Sequence, residues 1–302
     1  MPAGGEQMRA TMQNEPRRPA CWARTVASAV GLAASGVLGA QIIRVGDRRH
    51  AEEVWTRLSE LSSTEPARFT PAMVEDLPEP ARRYLRYAIA PGAALCTVAE
   101  IDMVGRIGLG DRDAPRYMLM RAREIIAPPY GFVWIPSIGS GLMRISGSDG
   151  YVGGEAWTRF WLLGFLPVAR PAVTPDLIRS AAARSIIEGA LWVPASLLPQ
   201  NGAAWEPIDT RRARAVVDHR GERFAVDLTI ADNGQPVSAV MQRWSNANPE
   251  GLYQWQPFGC AIEAVGMFDG YTVPVRLQAG NHFGTESYFP FFRAEVVNVR
   301  YR

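Results

Sequence analysis

The residues in this chain best suited to moving a proton lie near its C-terminus, where Asn281-His282 stands between Asp269 and Glu286. Histidine titrates near neutrality and a carboxylate can orient its ring, so His282 with Glu286 or Asp269 is what a hydrolase-like site would use. The same residues also read as structure, because His282 sits among aromatics at the end of a strand-like run. Ser140, Ser146 and Ser148 fall in a glycine-rich stretch, but it holds no GxSxG and no adjacent base. Glu155 and Glu188 stand in apolar contexts, where burial raises a carboxylate pKa unless an arginine pairs with it. No residue is assigned as catalytic on this evidence; His282, Glu286 and Asp269 are candidates for an enzymatic alternative.

A second set of residues suits binding. Trp134, Trp157, Trp161, Trp192 and Tyr288 belong to a strongly aromatic chain, and rigid aromatic side chains serve equally as core or as the wall of a lipid pocket. Other chemistries are excluded. The 302 residues contain no lysine, so Schiff-base, phosphate-loop and kinase-type lysine chemistry is absent. A net charge of +2 without basic runs interleaved with aromatics argues against a nucleic-acid partner. Cys21, Cys96 and Cys260 and the three histidines are too scattered for a metal site or a CxxC motif, and no cofactor is implied. Cys96 and Cys260 are expected as buried free thiols, or as a pair if the domain is exported.

The elements that position these residues follow from periodicity. Residues 1–24 are polar, rich in Pro and Arg, and expected to be disordered. Residues 25–43 are uncharged, long enough to span a bilayer, and flanked by arginines on both sides, which predicts a single-pass anchor in the cell membrane without fixing its orientation. A cleaved signal peptide is the rival reading, disfavoured by the long leading region and the lack of an A-x-A site. Ala27, Gly31, Ser35 and Gly39 recur at the spacing that lets two membrane helices approach, so a homodimer is an expectation. Residues 44–94 read as a helical lead-in, with Val54, Trp55, Leu58 and Leu61 on one face and Tyr84, Leu85, Ala88 and Ile89 on another.

From residue 95 to 302 the period shifts towards two. Ala99, Ile101 and Met103 alternate with acids, and a helix beginning at Thr174-Pro175 interrupts the strands. Turns are expected at Arg220-Gly221, Asn233-Gly234 and Asp269-Gly270, the second pairing Ile230 with Val237 and Leu228 with Ala239. The third sets Phe268 opposite Tyr271, Glu263 opposite Arg276 and Ile262 opposite Leu277, with Pro274 marking an edge or a bulge. The stretch from Trp157 to Val168 is the most apolar outside residues 25–43, and reads as core, pocket wall or a flap on a membrane. The fold class is α+β: a curved, mostly antiparallel sheet with helices packed on it, preceded by one transmembrane helix.

LPEPARRYLRYAIAPG, LWVPASLLPQNGAAWEPID, MQRWSN and GYTVPVRLQAGNHFGTESYFPFFRAEV together resemble a bacterial family of single-pass membrane proteins catalogued only as a domain of unknown function. The likeness covers most of residues 70–302. It implies an N-terminal membrane helix and a β-rich domain, and no activity, cofactor or catalytic residue. More loosely, the architecture is similar to lipoprotein-carrier (LolA-like) folds, whose sheets hold acyl chains. The expected function is therefore binding of a membrane lipid or hydrophobic small molecule, with the hydrolase-like site and a scaffold working through the Trp157 to Val168 stretch as alternatives.

Overall fold

The computed structural model describes residues 21–110 and 112–302, and its helices are α1 (Cys21–Ser59), α2 (Glu79–Ala88) and α3 (Pro175–Trp192). The strands are β1 (Ala99–Leu109), β2 (Arg116–Ala127), β3 (Gly131–Ile138), β4 (Ile145–Val152), β5 (Glu155–Leu162), β6 (Leu166–Ala169), β7 (Ala203–Pro207), β8 (Arg212–His219), β9 (Glu222–Ile230), β10 (Pro236–Ser245), β11 (Gln254–Phe268), β12 (Tyr271–Asn281) and β13 (Phe289–Tyr301). They form one antiparallel 13-stranded sheet in the order β6-β5-β4-β3-β2-β1-β13-β12-β11-β10-β9-β8-β7. Its outermost strands carry Pro167 and Pro207, residues that weaken an edge as a template for another strand.

The shape of the sheet follows from α3. Thr174 Oγ1 accepts a hydrogen bond from the Leu177 amide at 3.2 Å, and Pro175 fills a first-turn position that needs no N–H. From Ser180 to Trp192 nearly every residue of α3 is buried, so the helix has to be enclosed. It packs against both β5 and β9. Laid flat, the sheet between those strands would be on the order of 40 Å wide at about 4.8 Å per strand, whereas 18 helical residues span about 27 Å. One helix reaches both only because the sheet curves around it as a half-barrel. Helix α2 packs on the same concave side, burying Tyr84, Leu85 and Ala88 as predicted, and Tyr84 donates its hydroxyl to the Ala190 carbonyl of α3 at 2.7 Å.

The turn chemistry behaves as expected. Arg220 and Gly221 have φ of 53° and 80°, and Asp269 and Gly270 of 49° and 85°, the paired positive angles a tight hairpin requires. Phe268 pairs with Tyr271, Val265 with Pro274 and Ile262 with Leu277. Between them the ladder departs from the predicted register: Arg276 lies opposite Ala264, while Glu263 and Val275 have no opposite residue. Each strand carries one extra residue, and the two offset each other, so the pairing is as predicted on both sides of the irregularity. Pro274 thus marks a bulge, and β12 is an inner strand between β11 and β13. Glu263 and Arg276 still make a long contact at 3.8 Å. At the Asn233-Gly234 turn, Leu228 pairs with Ala239, but Ile230 pairs with Pro236 because Val237 bulges out of the ladder.

Helix α1 runs unbroken through the two segments that periodicity separated, residues 25–43 and the lead-in beyond them. Residues 1–20 of the expected disordered region lie outside the described residues. Gly31 and Ser35 of the small-residue stripe are exposed, and the side chain of Ala27 lies outside the described residues. No helix among the described residues is long and apolar enough to cross a membrane. The C-terminal half of α1 buries Ala51, Val54 and Leu58 against Val98, Ile125, Val133 and Trp157 on the convex face of the sheet, while Leu61 points to solvent.

Asp47 fastens this helix. It accepts hydrogen bonds from both Arg170 Nη atoms (2.5 and 2.9 Å) and from Trp161 Nε1 (3.1 Å), and faces Arg159 at 3.5 Å. Replacing Asp47 with Ala strands these donors. Because Arg170 is substantially exposed, solvent recovers part of the loss, and we expect a cost of about 2 kcal/mol. Hydrogen exchange should then show lost amide protection over residues 44–58 with α3 unchanged.

Candidate functional site

Strand parity decides which side chains face α3. On β3, Phe132 and Trp134 point into the concave side and Val133 points to α1. On β2 the inward set includes Met120, Ala122 and Ile126, and the alternation places a carboxylate, Glu124, in the same row with 1% exposure. Asp149 on β4 and Arg243 on β10 also face inward. They meet Arg184 and Glu188 of α3 around a cavity of about 270 Å³.

Part of the cavity wall is apolar, formed by Ile107, Phe258, Leu277, Ala279, Phe291 and Phe292, with Leu191 and Trp192 from the helix. The rest is ionic. Arg184 donates from Nε to Glu188 at 2.7 Å, from Nη1 to Asp149 at 2.6 Å and from Nη2 to Glu124 at 3.3 Å. Its guanidinium carbon lies 4.4 Å from the Phe132 ring centre and 5.3 Å from that of Trp134. Burial works against the Arg184 charge, but Glu188, Glu124 and Asp149 outweigh it and raise its pKa. Asp149 also accepts from Thr158 Oγ1 at 2.7 Å.

Glu124 differs from the other two carboxylates. Burial first, and the adjacent Glu188 second, push its pKa well above the ordinary carboxylate value against the pull of Arg184. Its carboxyl therefore holds a proton more tightly than an ordinary glutamate does, while Oε1 accepts the Arg184 Nη2 bond. Glu188 Oε2 is buried and accepts no hydrogen bond among the described residues.

Arg243 is placed differently again. Its Nε donates to the Ser180 carbonyl at 3.1 Å and its guanidinium carbon lies 5.0 Å from the Phe258 ring centre. Neither Nη has a hydrogen-bond partner among the described residues, and no carboxylate lies within ion-pair distance. Burial and the nearby Arg184 lower its pKa to about 10, which leaves it charged at neutral pH. Trp134 Nε1 in the same wall is likewise without an acceptor among the described residues.

The sequence-derived candidates are distributed unevenly. Trp134 and Trp192 line this cavity. Trp157 and Trp161 face the opposite side of the sheet under α1, where Trp157 Nε1 donates to Ser148 Oγ at 3.0 Å. Tyr288 is half-buried in the β12–β13 connection and donates to the Gln278 carbonyl. His282 and Asp269 flank opposite ends of β12, on the order of 30 Å apart for an extended strand of that length. His282 has φ of 57° and donates from Nε2 to the Ala247 carbonyl at 3.2 Å; Glu286 is exposed, with its backbone carbonyl bonded to Arg112. These three residues do not converge. Cys96 and Cys260 are free, and burial raises the Cys260 pKa to about 12, which leaves it an inert thiol.

Two signals for the actual cluster were present in the sequence. Arg184 and Glu188 sit four apart in the largely apolar second half of α3, and Glu124 interrupts an inward apolar row. A larger cavity of about 420 Å³ opens between α1 and the convex face, lined by Arg44, Arg48, Arg123 and Arg159 together with Asp47 and Glu52. There the acids pair with arginines, Glu52 with Arg48 and Asp47 with Arg159.

Among solved structures the chain is similar to a LolA superfamily protein from Nitrosomonas europaea, at 11% identity over 74% of this chain and 92% of that one, with a TM-score of 0.39. It is also similar to a putative outer membrane lipoprotein-sorting protein domain from Vibrio parahaemolyticus, at 9% identity over 68% and 85% of the two chains, with a TM-score of 0.36. These match the looser architectural likeness seen in the sequence and carry no inference about what the cavity holds. No curated protein matches the chain. Residues 67–294 match a family profile over most of the chain's length, and the protein belongs to that family, the family of unknown function DUF6544.

Proposed function

We propose that the half-barrel holds a hydrophobic or amphipathic small molecule, such as a membrane lipid or a fragment of one, in the concave cavity between α3 and β1, β11, β12 and β13. The observation that carries this reading is the cavity itself: aromatic and aliphatic walls with a few fixed polar groups, just under the roughly 300–1,000 Å³ common for ligand sites. A core built only for stability would close such a space, because each unfilled volume costs free energy. Residues 25–43 of α1 would tether the domain to a bilayer. Supporting this, Leu38, Ile42 and Ile43 are exposed apolar residues, and Phe165, Leu166 and Val168 of the β5–β6 hairpin add exposed apolar surface beside them, where Gln41 Nε2 donates to the Gly164 carbonyl at 2.7 Å.

Native mass spectrometry of the gently extracted full chain tests the ligand reading. We expect a small amphiphile bound to the wild type and absent from Ala279→Phe, which fills the cavity; circular dichroism confirms that the variant is folded. A wild type that carries nothing and takes up no added decanol would overturn it. His282→Ala should leave ligand occupancy unchanged, since its ring serves only the loop.

A further inference from the structure

The two arginines of the concave cavity do not have equal claims on a ligand, and the difference lies in how each is satisfied. Every nitrogen of Arg184 already donates to a carboxyl group, and the rings of Phe132 and Trp134 lie against its guanidinium. Arg243 sits in the same wall with both Nη groups free of partners among the described residues, held only through Nε and the Phe258 face. Arg243 is only partly buried, so its Nη groups face the open cavity, where a hydrogen-bonding anion can reach them. Asp149 and Glu188 act on it at a distance, but both are already committed to Arg184 at hydrogen-bond range.

Building on the pocket reading above, we propose that Arg243 is the head-group receptor of this cavity, and that the ligand is an amphiphile ending in a carboxylate or an equivalent two-oxygen anion. Its oxygens accept the two free Nη donors in the paired geometry that a guanidinium fork favours. Its apolar body lies against Phe258, Phe291, Phe292 and Leu277. A positively charged head group is excluded by Arg243, and a neutral one leaves the charge without a partner.

The test compares decanoate, decanol and decyltrimethylammonium by titration calorimetry on the full-length protein reconstituted in nanodiscs, with empty nanodiscs subtracted. Decanoate should bind wild type on the order of ten- to a hundredfold more tightly than decanol, the range for a charge-assisted hydrogen-bonded pair. The cationic probe should not bind. In Arg243→Met, decanoate should fall to the level of decanol while decanol affinity holds, and thermal stability should stay level or rise, because an uncompensated charge has gone. A merely structural arginine would show the opposite stability change. Arg243→Lys, which keeps the charge and loses the fork, should be intermediate, and it stands in if the Met variant does not fold. Equal affinity for decanoate and decanol in wild type would overturn the head-group assignment and leave the pocket reading intact. Failure of every probe, with nothing co-purifying, would overturn the pocket reading itself.

Discussion

Replacing Arg184 with Met should lower the stability of the domain by about 3–5 kcal/mol, the usual cost of stranding buried charges by removing their partner. Arg184 has only 14% of its side chain exposed and is the one cation in hydrogen-bond contact with Glu124, Asp149 and Glu188 among the described residues. Without it, Asp149 and Glu188 lose their hydrogen-bonded counter-ion on the concave side. Equilibrium denaturation followed by tryptophan fluorescence measures the loss. Glu124→Gln is the informative contrast. The folded protein holds the Glu124 proton well above the ordinary carboxylate range, whereas the unfolded chain releases it near pH 4.5. As pH rises through that window, only the unfolded state gives up the proton, so the wild-type carboxyl progressively favours unfolding. The glutamine cannot titrate. Its stability relative to wild type should therefore increase from about pH 4 to about pH 7. A difference that shrinks with pH would mean that Glu124 is ionised in the fold.

Trp192→Ala should cost a comparable amount, about 3–5 kcal/mol, for a different reason. Trp192 is 1% exposed and closes α3 against the sheet: its Nε1 donates to the Pro274 carbonyl at 3.1 Å, and its own carbonyl accepts from the Tyr301 hydroxyl at 2.9 Å. The contact to Pro274 lands on the bulged part of β12, so the tryptophan ties the helix end to the irregular segment of the hairpin. Trp192→Phe retains most of the apolar area and gives up that bond, and should cost only about 1–2 kcal/mol. Because Trp192 also lines the cavity, the alanine variant enlarges it, and decanol affinity should fall even under conditions where the variant is folded. Unchanged affinity in the alanine variant would place the bound chain away from this end of α3.

Much of this architecture was legible in the chain. The limits of α3 follow from a Thr-Pro start and an apolar run, and the Arg220-Gly221 and Asp269-Gly270 turns from residues that tolerate positive φ. The inward rows of β1 and α2 follow from periods of two and 3.6. Local chemistry sets such features, and neighbours in sequence are enough to read them. The binding site is of another kind. Trp134 and Trp157 look alike in the sequence, and the strand pattern around each is similar, yet one lines the concave cavity and the other packs beneath α1. Alternation fixes which side chains share a face of one strand, but only the curvature of the whole sheet around α3 decides which face is enclosed. Glu124, Asp149, Arg184 and Arg243 come from four separate elements, and no spacing along the chain brings them together. His282, Glu286 and Asp269 lie within one short stretch, and an extended β12 holds two of them apart. Composition, turns and periodicity were the sequence's own contribution; the meeting of a carboxyl-bound arginine and one without an ion pair in the wall of one cavity required the tertiary fold, because non-local packing sets those distances.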